Sequence, residues 1–180
     1  MYRARLCFGA RDSTRNPLVT PGSTHTLKII IDTREQHPLK FTFSDNMTEV
    51  VSAKLEVGDY CAEYTDGERA PIVFERKAMG DLFGTSTSGY KRFKAEINRA
   101  KASHIKMILA IEGNQTEIVA GYAYSAFNGL SMLRKLCTMW LKYDLMPMFF
   151  DSRESMAVFI QEFYEAYGRL YKQKQFGHRK

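Results

Sequence analysis

The sequence predicts a mixed α/β sandwich built around one sheet. Two short, continuous apolar runs, at 27–35 and 105–113, read as fully buried strands. An alternating segment, 55–64, is tied by turn residues to a third strand-like run at 72–77. Helical periodicity fills the stretches between and after them, and strands alternating with helices after an initial hairpin imply this layered class.

Each element follows in chain order. "LKIIIDTRE" (27–35) is a buried strand that ends abruptly in charges. "LEVGDYCAEY" puts Leu55, Val57, Asp59 and Cys61 on one face of a second strand. "TDGERAP" (65–71) is turn chemistry, so a hairpin leads into "IVFERK". In "GYKRFKAEINRAKA", Tyr90, Phe93, Ile97 and Ala100 recur at helical spacing and belong to the core, while the other faces are basic. "IKMILAIEG" (105–113) is the second buried strand, and 114–125 is polar and irregular, a loop. Residues 127–143 form a helix with two apolar stripes: Leu130, Leu133, Cys137 and Trp140 on one, Met132, Leu136, Met139 and Tyr143 on the other. "LMPMFFD" (145–151) is a short strand whose Pro147 places it near an edge. The final helix carries the core stripe Met156, Phe159, Ile160, Phe163 and Tyr167. There is no internal repeat.

A chain of 180 residues, 44% hydrophobic and 26% charged, suits one domain with a real core. No apolar run approaches the roughly 18 residues of a membrane span. The start lacks the apolar centre of a secretory signal; it is Arg-rich and acid-poor, as transit peptides are, but is read as a basic tail. Cys7, Cys61 and Cys137 fit no zinc spacing and suggest free thiols in a reducing interior, so the expected location is intracellular. The net charge of +6 divides into +3 over 1–26, +5 over 169–180 and −2 between. Basic ends on a slightly acidic body suit capture of a polyanion, or are solvated tails. The expected division is a basic tail at 1–26, a domain at 27–170 and a basic tail at 171–180.

The chemistry concentrates in "VFERKAMGD". Residues two apart on a strand share a face, so Glu75 and Lys77 point one way and Arg76 the other. If Asp59 of the preceding strand lies beside Glu75, two carboxylates face each other with a lysine at their edge. At about 4 Å their repulsion is roughly 4 kcal/mol at an effective dielectric of 20. Either one is protonated or a cation sits between them, and Mg²⁺ suits an all-oxygen set with no His or Cys nearby. A carboxylate-held Mg²⁺ polarises a phosphoryl oxygen and acidifies water, with Lys77 positioning that water or stabilising charge on phosphorus. Asp32 and Glu35, past the end of the first buried strand, are within reach of the same spot. Cross-strand ion pairing of Asp59, Glu75 and Lys77 accounts for the same spacing. Asp81 sits where a helix begins and has a capping role open to it.

"GDY…ERKAMGD" resembles the GD…ERKxxxD signature of the XPF-type nucleases, which belong to the restriction-endonuclease-like PD-(D/E)XK fold, a central mixed sheet flanked by helices. "IIIDTRE", "DLFGTSTSGYKRFKAE", "MILAIEG" and "GLSMLRKLCTMWLKYDLMPMFF" resemble the family's flanking segments in order, so the likeness covers about 27–170. It implies Asp59 and Glu75 as principal metal ligands, with Asp32 and Glu35 contributing directly or through water. It implies Lys77 as the catalytic lysine, Arg76 and Arg34 as residues that orient carboxylates or contact phosphate, and Asp81 as a supporting acid. It implies Mg²⁺, replaceable by Mn²⁺, and hydrolysis of branched, flapped or otherwise distorted DNA in repair or recombination. The chain lacks the tandem helix-hairpin-helix module of many members and looks like the small stand-alone type of bacteria and their viruses. The Arg usual after the Ser/Thr-Gly turn is replaced by Tyr90 followed by Lys91 and Arg92.

The segment 91–106 carries +5, with Glu96 its one acid. Ser86, Ser88, Lys91, Arg92, Lys94, Arg99 and Lys101 are the expected DNA contacts, with hydroxyls at a helix start suited to phosphate. No set of base-reading side chains is evident. Helix 127–143 has more apolar surface than one sheet contact needs, which fits a homodimer, as the resemblance to XPF-type domains implies, or deep burial within one chain. Two other functions compete: an inactive DNA-binding or partner module of the same fold, and a restriction-type endonuclease.

Overall fold

The computed structural model describes residues 27–42, 48–85 and 89–176, the last stretch with side chains to 170. One six-stranded sheet runs through it. In chain order the strands are β1 (Leu27–Asp32), β2 (Thr48–Ala53), β3 (Tyr60–Glu63), β4 (Ile72–Lys77), β5 (Lys106–Glu112) and β6 (Met146–Phe150). Their spatial order is β2-β1-β3-β4-β5-β6. β1 pairs parallel with β2 and antiparallel with β3; β3 and β4 form the expected hairpin; β4, β5 and β6 run parallel. The sheet is therefore mixed, as expected, and Pro147 lies on the outermost strand, where proline is tolerated.

The helices are α1 (Met79–Thr85), α2 (Tyr90–Ala102), α3 (Gln115–Ala120), α4 (Gly129–Tyr143) and α5 (Arg153–Phe176). Strand alternation sorts two cores. Val73, Met107, Leu109 and Ile111 face α1 to α4, meeting Leu82, Phe83, Phe93, Ile97, Ile118, Met132, Leu136 and Met139. Tyr60, Phe74, Ile108 and Ala110 face α5 through Met156, Ile160 and Tyr164. Phe74 is fully buried and meets Phe163, Tyr164 and Phe159 edge-on at 5.2, 5.6 and 6.2 Å. Such a ring contributes about 1.5–3 kcal/mol by burial. Tyr164, absent from the expected stripe, is also fully buried, and its hydroxyl lies 3.0 Å from both the Tyr60 and Ile72 carbonyls.

Four sequence expectations need adjustment. β2 was not foreseen; it is an edge strand with Val50 40% exposed, so its alternation is weak. The strand expected over 55–64 begins only at Tyr60, although Leu55, Val57 and Cys61 do share a core. The loop expected at 114–125 contains α3, started by a capping box in which Asn114 accepts the Glu117 N–H and Glu117 accepts the Asn114 N–H. The backbone of α5 continues to Phe176, into the stretch read as a tail. Residues 1–26, with their expected basic tail, lie outside the described residues. No helix among the described residues is long and apolar enough to cross a membrane, and Cys61 and Cys137 are free thiols.

Candidate active site

The site forms where β3 and β4 part. β3 and β4 register through Tyr60 and Phe74. Two residues before Tyr60, Gly58 adopts φ +75°, and a Cβ there would lie 2.8 Å from Val73 Cγ2. Only glycine fits, so the "GD" pair is a device for bringing Asp59 hard against β4. The Asp59 N–H donates to the Phe74 carbonyl (2.8 Å), and its carboxylate accepts the Arg76 N–H (2.8 Å). The side chain thus replaces a backbone carbonyl as the next acceptor in the ladder.

A cavity of about 390 Å³ opens at this point. Asp59, Glu75 and Lys77 all line it, which joins the three residues on which the sequence reading depends. α2 forms the opposite wall with Arg92, Glu96 and Arg99, one helical face at i, i+4 and i+7, and Phe93 beside them. Arg34 and Gln36 close the rim.

The carboxylates are under strain. Burial raises the Asp59 pKa, and the Arg76 N–H only partly offsets it. Glu75 is 4% exposed; burial raises its pKa and the neighbouring Asp59 charge raises it further. Lys77 donates to Glu75 and also lies 5.4 Å from the Phe93 ring centroid. Burial works to lower the Lys77 pKa, but the Glu75 charge and hydrogen bond outweigh it and leave it raised. The charges of Glu75, Asp59 and Glu96 all hold Lys77 in its ammonium form. Burial and mutual repulsion push both Asp59 and Glu75 towards their protonated forms.

The other expected ligands are engaged elsewhere. Asp32 does not line the cavity. Its Oδ1 accepts the Arg34 N–H (2.8 Å) and Nε (2.6 Å), and its Oδ2 accepts Arg34 Nη2 (3.1 Å) and the Leu55 N–H (2.6 Å). These bonds outweigh burial and lower its pKa. Its observed role is to hold the Arg34 guanidinium at the rim. Glu35 lies on the far side of β4, 3.3 Å from Arg76 Nη1. Arg76 donates through Nε to Glu112 (2.6 Å) and is 8% exposed, so it orients carboxylates and is closed to phosphate. Asp81 is exposed in the first turn of α1, where its charge suits the helix dipole, and it does not line the cavity.

Of the expected DNA contacts, Arg92 and Arg99 line the cavity. Lys91 and Lys94 are exposed on α2 outside it. Lys101 lines a separate groove near His104 and Tyr143. Ser86 and Ser88 lie outside the described residues. The sequence reading missed Glu96 as a member of the site; its signal was its position as the one acid between two arginines at helical spacing.

Two hard carboxylates on one wall suit a cation that keeps most of its water, as Mg²⁺ does. Among the described residues no group of three or more His, Cys, Asp or Glu side chains forms a complete metal cage. Burial and mutual repulsion disfavour charge on both carboxyl groups, and a bound cation would offset that cost.

The model of the ERCC4 domain matches residues 31–163, more than half of the chain. The chain belongs to the ERCC4-domain family. Its fold is that of the XPF nuclease domain. It is similar to XPF from Aeropyrum pernix in complex with DNA, with TM-score 0.59 and 18% identity over 79% of this chain and 65% of that one. Against XPF from Aeropyrum pernix without DNA in its description, the TM-score is 0.56 and the identity 17%, over 83% of this chain and 69% of that one. The match of this chain thus spans about two thirds of each solved chain. A search of curated protein sequences finds no significant match.

Proposed function

We propose that this ERCC4 domain is a divalent-metal-dependent endodeoxyribonuclease that hydrolyses phosphodiester bonds in branched, flapped or junction DNA inside the cell. The observation that carries the reading is the convergence of Asp59, Glu75 and Lys77 on one cavity, where burial and mutual repulsion disfavour charge on both carboxyl groups. Asp59 and Glu75 would hold Mg²⁺, with Mn²⁺ able to replace it. When bound, the ion supplies Lewis-acid polarisation of a phosphoryl oxygen and a water of lowered pKa. Lys77 presents an ammonium to charge growing on the attacked phosphate. Arg34, Arg92 and Arg99 line the cavity and would hold flanking phosphates, and the similar XPF from Aeropyrum pernix was solved with DNA.

The test is a panel of duplex, flap, fork, single-strand and four-way-junction DNA, with and without Mg²⁺. Cutting of branched substrates that stops with chelator is expected. Binding without cutting in Mg²⁺ or Mn²⁺ would favour an inactive partner module, and cutting of plain duplex at one sequence would favour a restriction-type enzyme.

The proposal extends to a homodimer through α4. Met132, Leu136 and Met139 are buried, but Leu130 and Trp140 are about half exposed and Leu141 is 88% exposed. Cys137 is exposed on the same helix. That apolar face suits a second copy of the chain. Light scattering should give a dimer mass for the wild type and a monomer mass for Trp140→Glu at equal concentration. A monomeric wild type at all concentrations removes the dimer.

A further inference from the structure

We propose that Glu112 and Arg153 are positioning residues of the site, members of a closed ring behind the sheet that fixes Asp59 and the cavity rim; this rests on the nuclease reading above. The ring begins and ends at one residue, His37. The His37 N–H donates to Glu35 Oε1 at 2.7 Å. Glu35 Oε1 meets Arg76 Nη1 at 3.3 Å, and Arg76 Nε donates to Glu112 Oε1 at 2.6 Å. Arg153 Nη1 donates to that same Glu112 oxygen at 2.8 Å, while its Nη2 donates to the His37 and Pro38 carbonyls at 2.6 and 2.9 Å. Four elements are thereby joined: the turn after β1, the end of β4, the end of β5 and the start of α5.

The ring lies on the face of β4 away from the cavity, yet it reaches the cavity twice. Arg76, held by Glu112 and Glu35, gives its own N–H to the Asp59 carboxylate. The turn held by Arg153 carries Arg34 and Gln36, both on the cavity rim. Arg76 and Glu35 are each 8% exposed, so the inner half of the ring is no solvated surface pair, while Glu112 and Arg153, at 22% and 36%, carry it to the surface. Two guanidinium groups on one carboxylate oxygen form a bridge that Lys cannot copy, since one ammonium cannot span Glu112 and two carbonyls in a fixed plane. Outer partners of a metal-holding carboxylate set its orientation, and their loss weakens metal use by about 10–100-fold.

The experiment compares wild type, Glu112→Gln, Arg153→Met and Arg153→Lys for the Mg²⁺ concentration that half-saturates cleavage, and for DNA affinity in Ca²⁺. The expected result is at least about a tenfold rise in half-saturating Mg²⁺ for all three variants. Cleavage should be restored at high Mg²⁺, with DNA affinity within about twofold of wild type. Ile160→Val, which loosens α5 in its core, is the control for plain destabilisation and should leave half-saturating Mg²⁺ unchanged. An active wild type with no shift in the variants, or an equal shift in the control, overturns the proposal. If the wild type cuts nothing, the nuclease reading fails by itself. Mn²⁺ binding by calorimetry then decides the ring: weaker binding by Arg153→Met supports it, while equal binding or none refutes it.

Discussion

The two faces of β4 treat charge in opposite ways. On the α5 side, Arg76 meets Glu35 and Glu112, and Glu112 meets Arg153, so two cations face two carboxylates in a closed set. On the cavity side, Asp59 and Glu75 share Lys77 between them and are pushed towards protonation. Neighbouring residues of one strand, 75 to 77, supply both sets. The paired face holds geometry; the other face keeps carboxyl groups whose charge is disfavoured, and the proposed function assigns the reaction to that face.

The sharpest way to break the comparison is to neutralise the unsatisfied side. Asp59→Asn and Glu75→Gln should each cut Mg²⁺-dependent cleavage by about 10²–10⁴-fold in single-turnover assays, and DNA binding should survive. Retained cleavage in both would return the site to simple ion pairing. The satisfied side should respond in stability. Arg76→Met leaves buried carboxylates short of a partner and should cost about 3 kcal/mol or more in urea unfolding. A loss below about 1 kcal/mol would mean that the ring is slack.

Smaller effects sharpen the picture. Arg92→Ala and Arg99→Ala should each lower the log–log salt slope of DNA binding by about one. Lys101→Ala, on a different groove, should lower it less if DNA follows the cavity wall.

A last effect is a pH dependence of stability. A carboxyl whose pKa is raised in the fold adds stability below its ordinary range and loses it as pH climbs through the raised value. Asp59 and Glu75 are of that kind, so the metal-free protein should weaken from mildly acidic pH upward. Asp32 has a lowered pKa, so its contribution is present above the ordinary value and is lost on acidification. Urea midpoints across pH should show the upper decline, and added Mg²⁺ or Glu75→Gln should flatten it.

The gap between sequence and structure follows the same division. Glu75 and Lys77 were legible because alternation along a strand is local and needs no tertiary knowledge. The approach of Asp59 was legible through the hairpin, although the reason for Gly58, a clash with Val73, was not. Asp32 and Glu35 were read as ligands from their place beyond a strand end. Their actual partners are set by the turn that follows, and by Leu55 and Arg76 far along the chain. Glu96 was legible only as an exception in a basic helix.

By itself the sequence determined the alternation of strands and helices, the split of "ERK" across two faces, and the basic character of α2. These follow from local periods of two and 3.6 residues. Only the tertiary structure decided which acids are left short of a partner and which are neutralised. A charge's fate depends on the groups within a few ångströms, and here those groups come from segments separated by 20 to more than 100 residues.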